Sequence, residues 1–420
     1  MKQIDFNRHA IAAATATLAI GLGAGLASAQ DEHRAIASGD YGSASTWDLG
    51  VPDETDDAFV NGGYTVTVSD SQAAFRLRVG NNPAGETGTV VIESGGTLST
   101  DRVVTLGGFP TSTGFGTMVI NGGTLDIGVF TPGAGAENLV IGDAAGDGSL
   151  TLNSGQINTS AIFMGVNSAA TGTVTQFDGS VDARADITIG ENGTGIYTLS
   201  GGSLFGDGTL FVGRRPDATG TFTQTGGSVA IASNAFIANA SRASGTYSLS
   251  GDASASIGGT LSLGGAVDGA NAVAEDNAGT LELVGDSVLF NIGGDLLANA
   301  GDSASGTDNA SILAFTLDSI SGLASIINVV GLADLDGATL DVDLNGATPA
   351  GPVTLLEASS ISADGFMIAA SDEGDYIYDI VGIAGGRQAL QISVTAIPEP
   401  AAATLGGLSV MLLSLRRRRC

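Results

Sequence analysis

The chain is poor in the side chains on which many catalytic sites depend. Its 420 residues contain a single lysine, Lys2, and two histidines, His9 and His33. Because Lys2 falls in the N-terminal leader described below, no lysine is available for a phosphate-binding loop or a Schiff base. A Ser-His-Asp or Cys-His site could use only His33, because His9 falls in the N-terminal leader described below. A zinc site with two or more histidines is excluded for the same reason.

Cysteine and positive charge are equally scarce. The only cysteine, Cys420, is the last residue, so no disulfide can form within the chain. The 15 lysine and arginine residues face 44 aspartate and glutamate residues, which gives a formal net charge of −29. Such a surface repels nucleic acid and anionic membranes and suits divalent cations or cationic partners. We therefore expect no nucleic-acid partner and no cofactor, with calcium left open.

Glycine, by contrast, is abundant and recurs in a repeated phrase. The chain has 65 glycines, but with 43% hydrophobic residues it can still bury a core. A phrase such as GTVTQFDG occurs seven times, beginning at Gly88, Gly116, Gly148, Gly172, Gly195, Gly220 and Gly245. Successive copies begin 28, 32, 24, 23, 25 and 25 residues apart. A fixed phrase with a period in the twenties indicates a solenoid, in which each unit stacks on its neighbours.

Alternation within each copy predicts strands. In GTVTQFDG, Val174 and Gln176 fall on one face, and Thr173, Thr175 and Phe177 fall on the other. Each unit continues with a second short run and a third that ends in Ile-Gly or Val-Gly, which predicts three strands and three turns, with glycine and asparagine where φ must be positive. We therefore predict an all-β fold, a right-handed parallel β-helix with ladders of Val, Ile, Leu and Phe inside.

The chain divides into five predicted segments. They are a signal peptide at 1–29, an N-terminal cap and first coil at 30–87, a β-helix repeat domain at 88–346, a small C-terminal β cap at 351–396, and a sorting signal with a transmembrane helix at 397–420. The strands predicted for the C-terminal cap are Val353–Glu357, Phe366–Ala369, Tyr376–Ile380 and Ala389–Val394.

The first 29 residues have the three parts of a secretory leader. Lys2, Arg8 and His9 give a charged head, Ile11–Leu26 is an apolar middle, and Ala27 and Ala29 form the A-x-A site at which a signal peptidase cuts. This pattern predicts export of the protein. The alternative interpretation is an N-terminal membrane anchor.

The last 24 residues also have three parts. The motif Pro398, Glu399 and Pro400 comes first, the apolar run Ala401–Leu415 follows, and a basic cluster ends the segment. The cluster consists of Arg416, Arg417, Arg418 and Arg419. A run of 15 residues is short for a bilayer, but flanking residues or a thinner membrane would let it cross. The arginines would hold this end in the cytoplasm. The alternative interpretation is an ordinary tail anchor.

The tail resembles the PEP-CTERM sorting signal of exopolysaccharide-producing Gram-negative bacteria, in which a Pro-Glu-Pro motif precedes a transmembrane helix and an arginine-rich end. The resemblance implies anchoring in the inner membrane, then cleavage by a membrane exosortase and delivery to the cell surface or extracellular matrix. Cys420 departs from the usual pattern. Over 88–300 the repeats are similar to the autotransporter-type β-helix repeats of bacterial surface proteins.

Polar residues follow the turns at the end of the third run, most of which are Ile-Gly, Val-Gly or Met-Gly, and they form the first candidate site. They are Asn81, Asn82, Asp143, Asn167, Glu191, Asn192, Arg214, Arg215 and Asn239. Stacked coils would align them along one edge, either as solvated turns or as a glycan-binding stripe. A polysaccharide lyase would need clustered acids and a basic residue there. The residues that could supply them are Asp143, Asp147, Arg184, Asp186 and Arg214.

Three further features each leave two interpretations open. Trp47 either plugs the end of the tube or binds a sugar ring. The acidic loop with Asp53, Glu54, Asp56 and Asp57 is either a solvated loop or a calcium site. The segment Thr339–Gly346 contains D-x-D-x-N-G, the start of a calcium loop, but Pro352 stands where a bidentate glutamate is required, so a strand ending in an Asn-Gly turn is favoured.

These observations favour an exported, non-enzymatic surface or extracellular-matrix structural protein. An association with exopolysaccharide or an adhesin-like role is part of this expectation, and no catalytic residue is assigned. Two alternatives remain on the same fold. One is a β-helix polysaccharide lyase or glycoside hydrolase, and the other is a calcium-dependent carbohydrate-binding protein.

Overall fold

A computed structural model describes residues 30–81, 85–108, 113–128, 137–265, 277–298, 310–369 and 376–394. These residues are all-β, with two 3₁₀ turns at Ala44–Thr46 and Ala384–Gly386 and no α-helix among them. None of the described residues belongs to a helix that is long and apolar enough to span a membrane. The predicted leader and sorting signal, including Ala27, Ala29, Pro398–Pro400 and Arg416–Arg419, lie outside the described residues.

The strands form three rows, and most coils contribute one strand to every row, although the first coil has no strand in the middle row. The IG row is named after the Ile-Gly or Val-Gly turns that follow several of its strands. It comprises Glu32–Arg34, Asp57–Val60, Arg76–Val79, Val104–Leu106, Asn138–Ile141, Ala161–Met164, Ile187–Ile189, Leu210–Val212, Ala235–Ile237, Leu261–Leu263, Leu296–Ala298, Leu332–Asp334 and Ser360–Ser362. The GT row is named after the repeated phrase, which forms its central strands. It comprises Gly39–Asp40, Thr65–Val68, Thr87–Glu93, Phe115–Ile127, Gly148–Thr159, Thr171–Gln176, Thr194–Leu199, Thr219–Gln224, Ser244–Leu249, Ala278–Val284, Ala310–Thr316, Thr339–Asp343 and Met367–Ile368.

The middle row lies between the other two along the chain. It comprises Ser71–Ala74, Thr97–Thr100, the ends of the long strands Phe115–Ile127 and Gly148–Thr159, then Ser180–Ala183, Ser203–Gly206, Ser228–Ile231, Ser254–Ile257, Leu289–Ile292, Ile326–Val329 and Val353–Ala358. Two further strands, Tyr376–Gly382 and Gln388–Val394, form an antiparallel hairpin at its last strand.

Equivalent residues of successive coils lie side by side. Gly172 pairs with Gly148 and Gly195, and Gly195 pairs in turn with Gly220, always in parallel. This in-register stacking confirms the predicted all-β class and is consistent with a β-helix. The 13 strands of the IG row are separated by 12 spacings of about 4.8 Å, so the sheet is about 58 Å long.

The predicted two-faced pattern of the repeat is confirmed. Val174 and Gln176 are buried, whereas Thr173 and Thr175 are half-buried and Phe177 is exposed. The interior ladders contain the expected Val, Ile, Leu and Phe, and also tyrosine. Tyr197, Phe222 and Tyr247 occupy one ladder of the GT row, with successive ring centroids 5.2 and 4.5 Å apart. Phe290, on a middle-row strand, meets Tyr247 edge to face at 6.0 Å. Such aromatic contacts add about 0.5–1.5 kcal/mol each beyond area burial.

The outward positions of four consecutive GT-row strands carry hydroxyl groups almost without exception. We call these twelve positions the hydroxyl face. They are Thr171, Thr173, Thr175, Thr194, Ile196, Thr198, Thr219, Thr221, Thr223, Ser244, Thr246 and Ser248. Threonine suits a pleated, half-buried surface because its branched side chain packs well against its neighbours. None of the twelve positions is charged.

Two buried glutamines each form a hydrogen-bond network that the sequence pattern does not reveal. The side-chain amide of Gln224 donates to the carbonyl oxygens of Gly227 and Ser254, both at 3.1 Å, and its Oε1 accepts from the Tyr247 hydroxyl at 2.7 Å. Gln176 and Tyr197 repeat the arrangement two coils earlier. Burial raises the pKa of both tyrosine hydroxyls, so they stay neutral donors.

The network around Gln224 should show strong coupling. We expect Gln224→Leu to lower the free energy of unfolding by about 1–3 kcal/mol, because the Tyr247 hydroxyl then has no acceptor in the core. Leucine itself fits the ladder, since Leu199 and Leu249 occupy the equivalent position in the neighbouring coils. The double variant Gln224→Leu/Tyr247→Phe should recover part of the loss. Urea unfolding of the single and double variants measures the coupling, and purely additive losses would contradict the network.

The repeated glycines serve two different purposes. The turn glycines Gly190 and Gly213 have φ of +80° and +76°, as the sequence predicts. The glycine that opens each phrase is required for another reason, which the sequence pattern does not reveal. A Cβ on Gly220 would lie 2.3 Å from the amide nitrogen of Gly213 and 2.3 Å from the carbonyl oxygen of Ile189. Only glycine lets the GT-row strand start this close to the IG turns.

Parallel coils continue further towards the C-terminus than the repeat phrase does. Val353–Ala358, Ser360–Ser362 and Met367–Ile368 pair in parallel with the preceding coil in their respective rows. The hairpin of Tyr376–Gly382 and Gln388–Val394 then adds antiparallel strands. The four strands predicted for this region are present with small shifts of their ends, and the first two of them complete a last coil.

Candidate functional site

The predicted ladder of polar residues after the IG row is present, and many of its members bind the neighbouring coil. The side-chain amide of Asn167 donates to Asp143 Oδ1 at 2.6 Å, that of Asn192 donates to the Val166 carbonyl oxygen at 2.8 Å, and that of Asn239 donates to the Arg214 carbonyl oxygen at 3.3 Å. These contacts join consecutive coils along one edge. Asn82, another predicted member of the ladder, lies outside the described residues.

Two arginines and a buried glutamate form a concentrated charge cluster on this edge. Glu191 has a side chain only 8% exposed, and its two oxygens contact Arg214 Nη1 at 3.2 Å and Arg215 Nε. Arg214 also lies 3.9 Å from Asp186 Oδ2. Because Glu191 is shielded from water and charge-paired, this cluster fixes the backbone that follows the strand Leu210–Val212.

The structure does not assemble the predicted lyase cluster. Among its five members, all of them described, the only contact is the one between Asp186 and Arg214. Asp147 Oδ1 accepts a hydrogen bond from the Thr171 amide, and Arg184 Nη2 donates to the Ile127 carbonyl oxygen. Each of the side chains is therefore used to hold a turn or strand. The described residues also contain no group of three or more His, Cys, Asp or Glu placed to hold a metal ion.

A cleft of about 320 Å³ adjoins the two arginines, and we call it the Phe–Arg cleft. It is lined by Phe211, Arg214, Arg215, Pro216, Phe236, Asn239 and Ala240. The phenyl rings of Phe211 and Phe236 lie on adjacent IG-row strands, with centroids 5.4 Å apart and planes inclined by 13°. The Arg214 guanidinium lies 4.4 Å from the Phe211 ring centroid.

The two arginines and Asn239 were predicted from the sequence, whereas the aromatic wall was not. The sequence does carry a sign of this wall, because phenylalanine occupies the same outward position in two successive IG-row strands, at Phe211 and Phe236. The contact between Arg214 and Phe211 is a cation–π interaction, worth about 0.5–1 kcal/mol at a partly exposed site. It holds Arg214 against the wall of the cleft.

Trp47 lies in the core at the N-terminal end, as the plug interpretation predicts. Its side chain is 2% exposed, its ring nitrogen donates to the Tyr41 carbonyl oxygen at 2.8 Å, and the two rings meet edge to face at 5.0 Å. A ring buried in this way offers no free face to a sugar. The Tyr41 hydroxyl donates in turn to the Ala73 carbonyl oxygen, which ties the plug to the next coil.

His33, the one histidine among the described residues, is part of the same end. His33 is 6% exposed, with Nδ1 2.7 Å from the Gly50 carbonyl oxygen and Nε2 3.2 Å from Asp56 Oδ2. Both ring nitrogens thus face oxygen atoms of the loop that covers them. This arrangement fixes the loop against the ring.

Three aspartates of the acidic loop, Asp53, Asp56 and Asp57, bind other groups of the chain. Asp53 accepts hydrogen bonds from the amide and hydroxyl of Thr55, and the backbone hydrogen bond from Thr55 lowers the pKa of Asp53. Asp57 contacts Arg76 at 2.8 Å.

Farther along, Thr339–Asp343 is a strand followed by a turn with positive φ at Asn345 and Gly346, as the strand interpretation predicts.

Comparison of the chain with protein-family models, with curated proteins and with solved structures gave no match.

Proposed function

We propose that this protein is an exported, non-enzymatic scaffold of the cell surface or extracellular matrix, built as a right-handed parallel β-helix. The observation that carries the proposal is the unbroken in-register pairing of the IG row, from Glu32–Arg34 to Ser360–Ser362. A stack of this kind gives a long stiff surface, because each coil is hydrogen-bonded to both neighbours. Long stiff surfaces suit a spacer or a matrix component.

The use of the polar side chains also supports a scaffold. Asn167, Asn192 and Asn239 join neighbouring coils, and Glu191 binds two arginines of the next coil. Acid–base catalysis needs a carboxyl or imidazole group that can reach a substrate proton. Residues that hold turns together serve stability instead.

Delivery is proposed to depend on the two ends of the chain. A signal peptide cut after Ala29 would export the protein, and a PEP-CTERM tail with Pro398, Glu399 and Pro400 would hold it in the inner membrane through a transmembrane helix. An exosortase-type enzyme would then release it to the surface or matrix, where exopolysaccharide is the proposed neighbour. Support for this route comes from the order of motif, apolar run and arginine cluster in the sequence.

Both ends should be processed when the protein is made in its native cells. We expect mass spectrometry of the extracellular fraction to find a chain that begins at Gln30 and has lost the basic cluster. Pro398→Ala/Pro400→Ala should keep the tail and remain with the membrane, whereas Pro349→Ala, which changes a loop of the described fold, should be processed normally. An intact chain that stays inside the cells would contradict the sorting proposal.

The enzyme alternative has a direct assay. The mature protein can be incubated with acidic polysaccharides, and the release of unsaturated or reducing sugars can be followed. We expect no release above that seen with heat-denatured protein. Steady turnover would replace the scaffold proposal with a lyase or hydrolase.

A further inference from the structure

We infer that the Phe–Arg cleft binds an uncharged sugar unit of a surface or matrix polysaccharide. This inference rests on the proposed function, because it names the ligand class through which the scaffold would contact its surroundings. The cleft volume of about 320 Å³ lies at the lower end of the range of roughly 300–1,000 Å³ that is usual for small-molecule sites. It therefore suits one or two sugar rings rather than a protein partner.

Arg215 supplies the donors. Its Nε is bound to Glu191, while Nη1 and Nη2 make no hydrogen bond to any described residue, and the side chain is 54% exposed. The bond to Glu191 holds the guanidinium in place, and the planar end then presents a fork of N–H groups to the solvent. Two neighbouring hydroxyl oxygens of a sugar ring match such a fork. The hydrogen bonds would be charge-assisted, which makes them stronger than neutral ones.

Asn239 supplies an acceptor beside these donors. Its amide nitrogen is fixed by the bond to the Arg214 carbonyl oxygen, which leaves Oδ1 without a partner among the described residues. A sugar hydroxyl both donates and accepts, so a donor fork and a fixed acceptor on one rim can satisfy it fully. This pairing distinguishes the cleft from a simple patch of exposed arginines.

Aromatic and apolar groups complete the walls. Phe211 and Phe236 are half-buried and held by stacking, and Pro216 and Ala240 line the cleft with them. The C–H groups of a sugar ring are apolar, so their burial against carbon walls is favourable. Since Arg214 lies against Phe211, the aromatic wall is rigid before the ligand arrives.

Charge decides between neutral and acidic sugars. Within the cluster, Arg214 and Arg215 are matched by Glu191 and Asp186, so the cleft has no excess positive charge. The chain as a whole has a net charge of −29. Approach of a polyanion is therefore opposed, and this repulsion extends over about 8 Å at physiological ionic strength. The same repulsion does not act on a neutral glycan.

The test is a calorimetric titration of the purified mature protein with neutral oligosaccharides and with uronate oligosaccharides of equal length. We expect neutral oligosaccharides to bind and uronates to bind at least tenfold more weakly. Arg215→Ala and Arg215→Lys should each weaken neutral binding at least tenfold, because the lysine keeps the charge but loses the fork. Phe236→Ser should do the same, with little risk to folding, since Ser262 occupies the equivalent position one coil later.

Arg242→Ala is the matched control. Arg242 pairs with Asp217 at 2.7 and 2.8 Å on the exposed surface and lies outside the cleft. The Arg242→Ala variant should therefore bind sugars as the unchanged protein does. Equal losses in Arg242→Ala and Arg215→Ala, stronger binding of uronates, or no binding of any oligosaccharide would each overturn the inference. None of these outcomes changes the expected processing of the chain ends, so a failure of the cleft is distinguishable from a failure of the scaffold proposal.

Discussion

Val174→Asp is expected to open several coils of the stack, whereas Thr175→Asp, one residue later, is expected to leave it intact. Val174 is 3% exposed and points into the core between Leu150 and Tyr197. An unpaired carboxylate in such a place costs about 3–5 kcal/mol, in addition to the lost apolar contacts. Because each coil is supported by its neighbours, the damage should spread beyond one strand.

Thr175 is the matched control because it lies on the other face of the same strand. Its neighbours Thr151 and Thr198 are uncharged, so a carboxylate there would stay in water without a like charge beside it. The expected cost is at most about 1 kcal/mol, the range of strand preferences. Urea unfolding and limited proteolysis measure both variants. Equal protease resistance of Val174→Asp and the unchanged protein would show that the assignment of the inner face is wrong.

Gly220→Ala is expected to destabilise the stack by about 1–3 kcal/mol or more, the usual cost of overpacking a filled site. The added methyl group would meet the Gly213 nitrogen and the Ile189 carbonyl oxygen, both at 2.3 Å. These are backbone atoms, so no side-chain rotation can relieve the contact, and the two coils must move apart. Their hydrogen bonds would lengthen as they do so.

Gly351→Ala provides the comparison for this substitution. A Cβ at Gly351 would have no heavy atom within 4 Å, so alanine there should be neutral or stabilising by up to about 1 kcal/mol through its effect on the unfolded chain. Thermal unfolding and amide hydrogen exchange of the two variants can be compared directly. A smaller loss for Gly220→Ala than for Gly351→Ala would mean that the GT row does not approach the IG turns as closely as described.

The strands could be predicted from the sequence because their cause is local. Alternation at Val174 and Thr175 and the recurrence of the phrase at Gly172 and Gly195 mark both the faces and the period. The end of the stack was harder to place, since Val353–Ala358 pairs with the coil before it although no phrase marks it. Pairing of this kind depends on the neighbouring strand, which the local sequence does not contain.

The site could be predicted only in part, for a similar reason. Turn positions identify Arg214, Arg215 and Asn239 as residues of one edge, because the register of the repeat carries that information. Whether a polar residue then faces solvent or binds the next coil depends on contacts across coils. Gln224 shows the same limit in the core, since its alternation pattern places it inside but does not name the Tyr247 hydroxyl as its partner.

The hydroxyl face also bears on how a chain of this kind can change its length. Stacking places each side chain about 4.8 Å from its counterpart one coil away, so a carboxylate at a repeated strand position would face copies of itself, and like charges directly opposite are destabilising. Threonine avoids this conflict. A tandem duplication of one such coil would extend the sheet without creating a column of repelling charges. The number of coils can therefore change by duplication while the surface keeps the same chemistry.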